Sequence, residues 1–189
     1  YLTRLGHTVG GYDSDATLRQ KLQKGENPLP WEPGVGHRVG LITVVDSLEE
    51  ALLSADAAYV IVPTPQHGPV LSSRHVDDVR EGMVRSRWSG LTIIGSTLDP
   101  RSAAAMDFGS REVYSPPLIR LGHVIDDLAS PSVVLLGTSN RTLVRDVRSL
   151  FGWLLVPEIV GSPVTIAVAK LAINVSLSSR IAWANELSS

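Results

Sequence analysis

Short apolar stretches alternate with amphipathic stretches along most of the chain, and this alternation limits the fold more than any other feature. Residues 8–12, 41–45, 57–62, 91–95, 112–114, 133–136 and 154–156 read as strands. Residues 15–24, 47–54, 73–87, 100–106 and 140–151 read as helices. The helix from residue 47 opens on Ser47-Leu48-Glu49-Glu50, a capping box in which the serine and the second glutamate satisfy each other's backbone amides. Strands that alternate with single helices argue for parallel pairing through crossover connections. The expected fold is therefore α/β, a doubly wound parallel sheet of the Rossmann-like kind. Residues 57–62 have no polar side chain other than Tyr59 and are expected to form a buried strand.

The C-terminal stretch behaves differently. Residues 164–188 contain neither Gly nor Pro and predict one long helix. The division is thus residues 1–161 as a Rossmann-like domain and 162–189 as the start of a connecting helix. At about 100° per residue, Lys170, Asn174, Leu177, Ile181 and Asn185 share a narrow stripe of this helix. A lysine and two amides in an apolar stripe are costly to bury without polar partners. The stripe is one candidate wall of a polar site; a snorkelling lysine with a satisfied amide is the plainer reading.

Composition narrows the class. The chain is 43% hydrophobic and 19% charged, with a net charge of -2, so nothing favours nucleic acid or an anionic membrane surface as partner. Continuous apolar runs are far shorter than a membrane span, and no signal peptide pattern is present; the expectation is a cytoplasmic protein without membrane contact. The absence of cysteine rules out disulfides, thiolate metal sites and a cysteine nucleophile within these residues. His7, His37, His67, His75 and His123 lack ligand spacing, so no metal site is expected. Residues 1–5 read as the last turn of a helix stopped by Gly6, and Ser189 follows a helix with no cap. Both ends look cut, as in a fragment.

In doubly wound sheets, ligands bind beyond the carboxyl ends of the strands. That rule selects Asp13, Pro63-Thr64-Pro65, Ser96-Thr97 and Tyr114-Ser115-Pro116. A carboxylate at Asp13 can accept hydrogen bonds from an adenosine ribose, which favours NAD over a cofactor with a 2′-phosphate; it can equally serve as a turn or helix cap. Pro63 and Pro65 stiffen a loop whose one hydroxyl, on Thr64, can hold a ribose or nicotinamide, or they simply end the strand. Ser96 and Thr97 are either ligand hydroxyls or a helix cap. No G-x-G-x-x-G turn occurs in the sequence, so the phosphate-binding turn and the sheet's first strand are expected to be missing.

Several motifs, taken in order, resemble the nucleotide-sugar dehydrogenase family, typified by UDP-glucose and GDP-mannose dehydrogenases. They are Gly6-His7-Thr8-Val9-Gly10-Gly11-Tyr12-Asp13, Gly25-Glu26-Asn27-Pro28, Glu32-Pro33-Gly34, Val62-Pro63-Thr64-Pro65, Ser96-Thr97, Tyr114-Ser115-Pro116, Lys170 with Asn174, and Asn185-Glu186. The resemblance implies an NAD-dependent, four-electron oxidation of a sugar's primary alcohol to a carboxylate, in the supply of polysaccharide precursors. It implies that Asp13, Pro63, Thr64 and Thr97 hold NAD. Thr97 would also lie beside the catalytic water, and Lys170 and Asn174 would stabilise oxyanion intermediates. It implies a nucleotide-sugar substrate, a homodimer through the long helix, and a second domain carrying a catalytic cysteine.

The sequence departs from the family pattern at three places. Pro117 stands where the family has a catalytic glutamate, and Leu121 where the UDP-glucose branch has a second carboxylate. Leu18, beside Arg19, replaces a common lysine. The first two departures leave open a non-catalytic relative that binds a nucleotide or a protein partner. A hydroxyacid or phosphogluconate type of dehydrogenase also places Lys and Asn four apart on a helix, but Pro63-Thr64-Pro65 with Glu32-Pro33-Gly34 argues against it.

Overall fold

The computed structural model describes residues 1–35, 40–68 and 70–188; His37, Pro69 and Ser189 lie outside the described residues. A 3₁₀ turn, Leu2–Leu5, is closed by Gly6 at φ 88°, a left-handed conformation that glycine adopts without steric cost. It is followed by β1 (Gly10–Gly11), α1 (Ala16–Gln23), β2 (Thr43–Val44), α2 (Leu48–Leu52) and β3 (Ala57–Val60). A small hairpin of β4 (Gln66–His67) and β5 (Val70–Leu71) leads to α3 (Arg74–Arg85), β6 (Leu91–Ile94), α4 (Pro100–Ala105) and β7 (Glu112–Tyr114). Then come α5 (Val124–Ala129), β8 (Val134–Gly137), α6 (Arg141–Leu150), β9 (Glu158–Gly161) and α7 (Pro163–Ser188).

The fold is α/β around a mostly parallel five-stranded sheet of order β3-β6-β7-β8-β9. One junction departs from the all-parallel expectation. β8 meets β7 antiparallel, through the single pair Tyr114 and Gly137, so β8 and β9 run against the other three strands. β1 and β2 pair in parallel as a separate two-stranded sheet.

Alternation along the strands covers both faces. Ile93, Val113 and Leu136 point to one side, where Leu143, Val144 and Val147 of α6 and the stacked rings of Phe151 and Trp153 complete a core. Ile94, Tyr114 and Leu135 point to the other, against Val76 of α3, Ala103 of α4, and Ile166 and Ala167 of α7. Gly137 permits the α7 contact, because a Cβ there would sit 2.9 Å from Pro163 Cα and 3.0 Å from Tyr114 Cβ.

Two strand expectations are corrected. Residues 154–156 form no strand: Arg148 donates to the carbonyl oxygens of Trp153 (3.2 Å), Leu154 (2.6 Å) and Val156 (3.2 Å). A side chain thus takes the acceptors that a ladder would use, Leu155 is 98% exposed, and the strand begins at Glu158. Residues 57–62 are not a buried strand, because β3 is the sheet's edge and has a partner on one side only. Val60 is buried, Ala57 to Tyr59 are half-buried, and Ile61 is exposed. The hairpin and α5 were not visible in the sequence pattern. Contrary to what the run lengths suggest, α7 is by length and composition apolar enough to cross a membrane.

Candidate functional site

The carboxyl ends of the parallel strands carry the expected residues, each on backbone fixed by local chemistry. Asp13, two residues past β1, accepts a hydrogen bond from Asp15 N at Oδ1 (2.8 Å), which makes the turn. Asp15 is the cap of α1, accepting from Thr17 N (2.8 Å) and Leu18 N (3.3 Å). Asp13 is therefore the turn residue but not the cap, and no described residue bonds its Oδ2. Arg19 closes this corner: its Nη1 donates to Asp13 O (2.7 Å) and Ser14 O (3.2 Å), and its guanidinium lies 5.5 Å from the Tyr12 ring centroid.

Pro63-Thr64-Pro65 follows β3 and is pinned on both sides. His75 Nδ1 donates to Pro63 O (3.1 Å), and Ser72 N donates to Pro65 O (2.9 Å). Pro63 is exposed and Thr64 half-buried. At the end of β6, Ser96 and Thr97 part ways. Ser96 Oγ accepts from Val62 N and donates to Val62 O, both at 2.8 Å, and so joins the ends of β3 and β6. The cap of α4 is Asp99, which accepts from Arg101 N (2.8 Å) and Ser102 N (3.0 Å) through Oδ1. Its Oδ2 accepts from Ser102 Oγ (3.0 Å) and Leu71 N (3.2 Å). Burial pushes the Asp99 carboxyl up, but these hydrogen bonds outweigh it and leave the group below its ordinary range. The hydroxyls of Thr97 and Thr64 have no hydrogen-bond partner among the described residues.

Lys170 is the decisive residue. It is 8% exposed, and its Nζ donates to the carbonyl oxygen of Pro117 at 2.7 Å. Desolvation holds the amine below its usual basic range. The structure thus joins Lys170 to the segment leaving β7. Asn174 lies one turn further along α7 on the same face, but it is exposed and has no partner among the described residues. Pro117 is half-buried, and Leu121 is 85% exposed.

The sequence pattern did not single out the role of Glu32. Its carboxylate is buried and accepts from Gly122 N at Oε2 (2.7 Å) and Val124 N at Oε1 (2.8 Å). Its motif, Glu32-Pro33-Gly34, was legible; its partners, some 90 residues away, were not. A cavity of about 850 Å³ lies at the opposite end of the sheet, between Arg80, Trp88 and Glu112, away from all these residues. No cluster of metal-ligating side chains occurs among the described residues.

Comparison with known proteins gives this geometry a context. No family model matches the chain. It is 26% identical to a UDP-glucose 6-dehydrogenase of Haloferax volcanii, over 97% of this chain and 49% of that protein. It is 23% identical to a UDP-glucose 6-dehydrogenase of Bacillus subtilis, over 99% of this chain and 46% of that protein. Over nearly its whole length the chain is similar to nucleotide-sugar dehydrogenases.

Solved nucleotide-sugar dehydrogenases share its fold. The UDP-glucose dehydrogenase of Pyrobaculum islandicum superposes with a TM-score of 0.83 at 23% identity, over 98% of this chain and 48% of that one. A GDP-mannose dehydrogenase of Pseudomonas aeruginosa, solved as a ternary complex, gives 0.84 at 20%, with the same coverage. The chain spans about half the length of the nucleotide-sugar dehydrogenases it matches.

Proposed function

We propose that this chain is the cofactor-binding half of an NAD-dependent dehydrogenase that oxidises the primary alcohol of a nucleotide sugar to a carboxylate. The observation that carries the reading is the buried amine of Lys170, fixed 2.7 Å from Pro117 O and lowered in basicity by its burial. A preorganised cation in a poorly hydrated place stabilises negative charge that develops on a reacting oxygen. Asn174, one turn away, would add an amide donor to the same oxygen.

The residues at the strand ends fit NAD in part. Asp13 keeps Oδ2 for a ribose hydroxyl, and its charge disfavours a 2′-phosphate. Thr64, with Pro63, and Thr97 present unused hydroxyls at adjoining strand ends. A glycine-rich phosphate turn is not among the 189 residues. In this reading residues 1–161 form the NAD-binding domain, and the missing turn and first strand would come from sequence outside these residues. NAD would supply the hydride acceptor, one molecule for each of the two two-electron steps from alcohol to carboxylate, with water supplying the second oxygen. This chain's residues hold the cofactor, exclude water around Lys170 and place a cation beside the alcohol oxygen. The thiol step implied by family resemblance needs a cysteine from another segment or chain.

Residues 162–189 are assigned to a connecting helix that pairs two copies. The apolar surface of Ile173, Leu177, Ile181 and Trp183 supports a homodimer. A membrane is the poorer occupant, because Asn174, Arg180, Asn185 and Glu186 on the same part of the helix are costly in hydrocarbon. A cytoplasmic location goes with this reading.

The test is NADH formation, followed by absorbance, when the protein carrying this chain is mixed with NAD and UDP- or GDP-sugars. Failure with every common nucleotide sugar overturns the proposal. A second reading, a non-catalytic nucleotide or partner binder, rests on Pro117 and Leu121. Pro117→Glu separates the two. A large gain in turnover supports a dehydrogenase frame that lacks one carboxylate. Continued silence with retained ligand binding supports the binder.

A further inference from the structure

Glu32 is 3% exposed while its neighbour Trp31 is 65% exposed, so the chain turns this one carboxylate inward. Both oxygens are used, at 2.7 and 2.8 Å, on the amides of Gly122 and Val124. A carboxylate that accepts two backbone amides forms charge-assisted bonds, about twice as strong as neutral ones. These amides close the segment that begins at Ser115, whose own amide donates to Ile94 O at 2.8 Å. Between those two anchors lies Pro117, whose carbonyl receives Lys170 Nζ. Arg120 bonds within the same stretch, through Asp127, and so ties it to α5 but not to the rest of the molecule.

We propose that Glu32 is a positioning residue for Lys170: it fixes the far end of segment 115–122, so that the Pro117 carbonyl stays on the lysine amine and keeps water away from it. This rests on the dehydrogenase reading only for what Lys170 does; the mechanical link stands on geometry alone. Replacing one carboxylate oxygen with an amide NH₂ would set a donor against a backbone donor. One anchor is then lost, the segment frays at Gly122, and the Lys170 amine becomes accessible.

Competitive acetylation at a fixed pH, read by mass spectrometry, measures that access, with Lys21 and Lys24 on and beside α1 as internal references. In Glu32→Gln, the labelling of Lys170 relative to these two is expected to rise about fivefold, the population change that one net hydrogen bond makes. Glu32→Asp keeps the charge but shortens the reach and is expected to give a smaller rise. It also serves as the readout if Glu32→Gln does not fold. Ser47→Ala removes the cap of α2, far from the segment, and is expected to leave the ratio unchanged. The proposal is overturned if folded Glu32 variants keep the wild-type ratio, or if Ser47→Ala raises it equally. No cofactor or sugar enters the assay, so this failure is distinct from a failure to form NADH.

Discussion

The two parts of α7 have much the same sequence character and opposite surroundings. From Pro163 to Leu171 the helix lies on the sheet and against α4, with Ile166, Ala167 and Lys170 buried. From Ala172 to Ser188 every residue is exposed, including Trp183 at 71% and Leu187 at 80%. A hydrophobic side chain stabilises only if its burial removes it from water, so equal apolarity gives unequal energy along one helix. The first part belongs to the domain core. The second is an exposed apolar surface. Lys170 sits at the boundary, and a polar group at the edge of a core can be dry and still reach a ligand.

Substitutions along the helix test this contrast. Ile166→Ala, at a side chain with no exposure, is expected to cost about 2–5 kcal/mol in urea unfolding. A loss below 1 kcal/mol would place the first part outside the core. Trp183→Ala should leave monomer stability almost unchanged. If the second part is a dimer face, it should weaken association by about 2 kcal/mol, roughly thirtyfold in Kd, measured by sedimentation equilibrium in the analytical ultracentrifuge. An unchanged Kd would remove Trp183 from any interface.

Lys170 gives a smaller effect with a definite sign. Its native amine is less basic than the ordinary 10.5, so the unfolded chain holds a proton that the native chain releases in the window below that value. Stability is therefore expected to rise with pH through the lowered native pKa toward 10.5, and Lys170→Met should abolish the rise. Tyr59 and Tyr114, both pushed up by burial and the latter to about 12, remove stability above pH 10. The difference between wild type and Lys170→Met, measured by unfolding at several pH values below 10, isolates the lysine. A parallel pH dependence in both would refute the assignment. Asn174→Ala is expected to change stability by no more than about 0.5 kcal/mol, as at other exposed positions. Its effect on NADH formation should be far larger than that, and a matching insensitivity of turnover would remove Asn174 from the site.

Much of this arrangement was legible because it depends on local chemistry. The caps at Asp15, Ser47 and Asp99 occur at the residue types that favour them, although the cap of α4 was Asp99 and not the Ser96-Thr97 pair. The strand ends that carry Asp13, Thr64 and Thr97 followed from strand and helix alternation. What stayed hidden depends on groups distant in sequence. Arg148 takes the carbonyls that residues 154–156 would have used in a strand. Ser96 binds Val62 across 34 residues, and Glu32 binds Gly122 across 90. The antiparallel entry of β8 is likewise a matter of chain path, since strand periodicity is the same in either direction.

The sequence by itself determined that residues 164–188 are helical, because no Gly or Pro interrupts them, and that Lys170 and Asn174 share a face, because 3.6 residues make a turn. Tertiary structure alone decided which turns are buried, that the lysine amine meets the Pro117 carbonyl, and that Asn174 remains in water. Periodicity fixes direction around an axis, whereas burial depends on which distant segment the chain brings alongside.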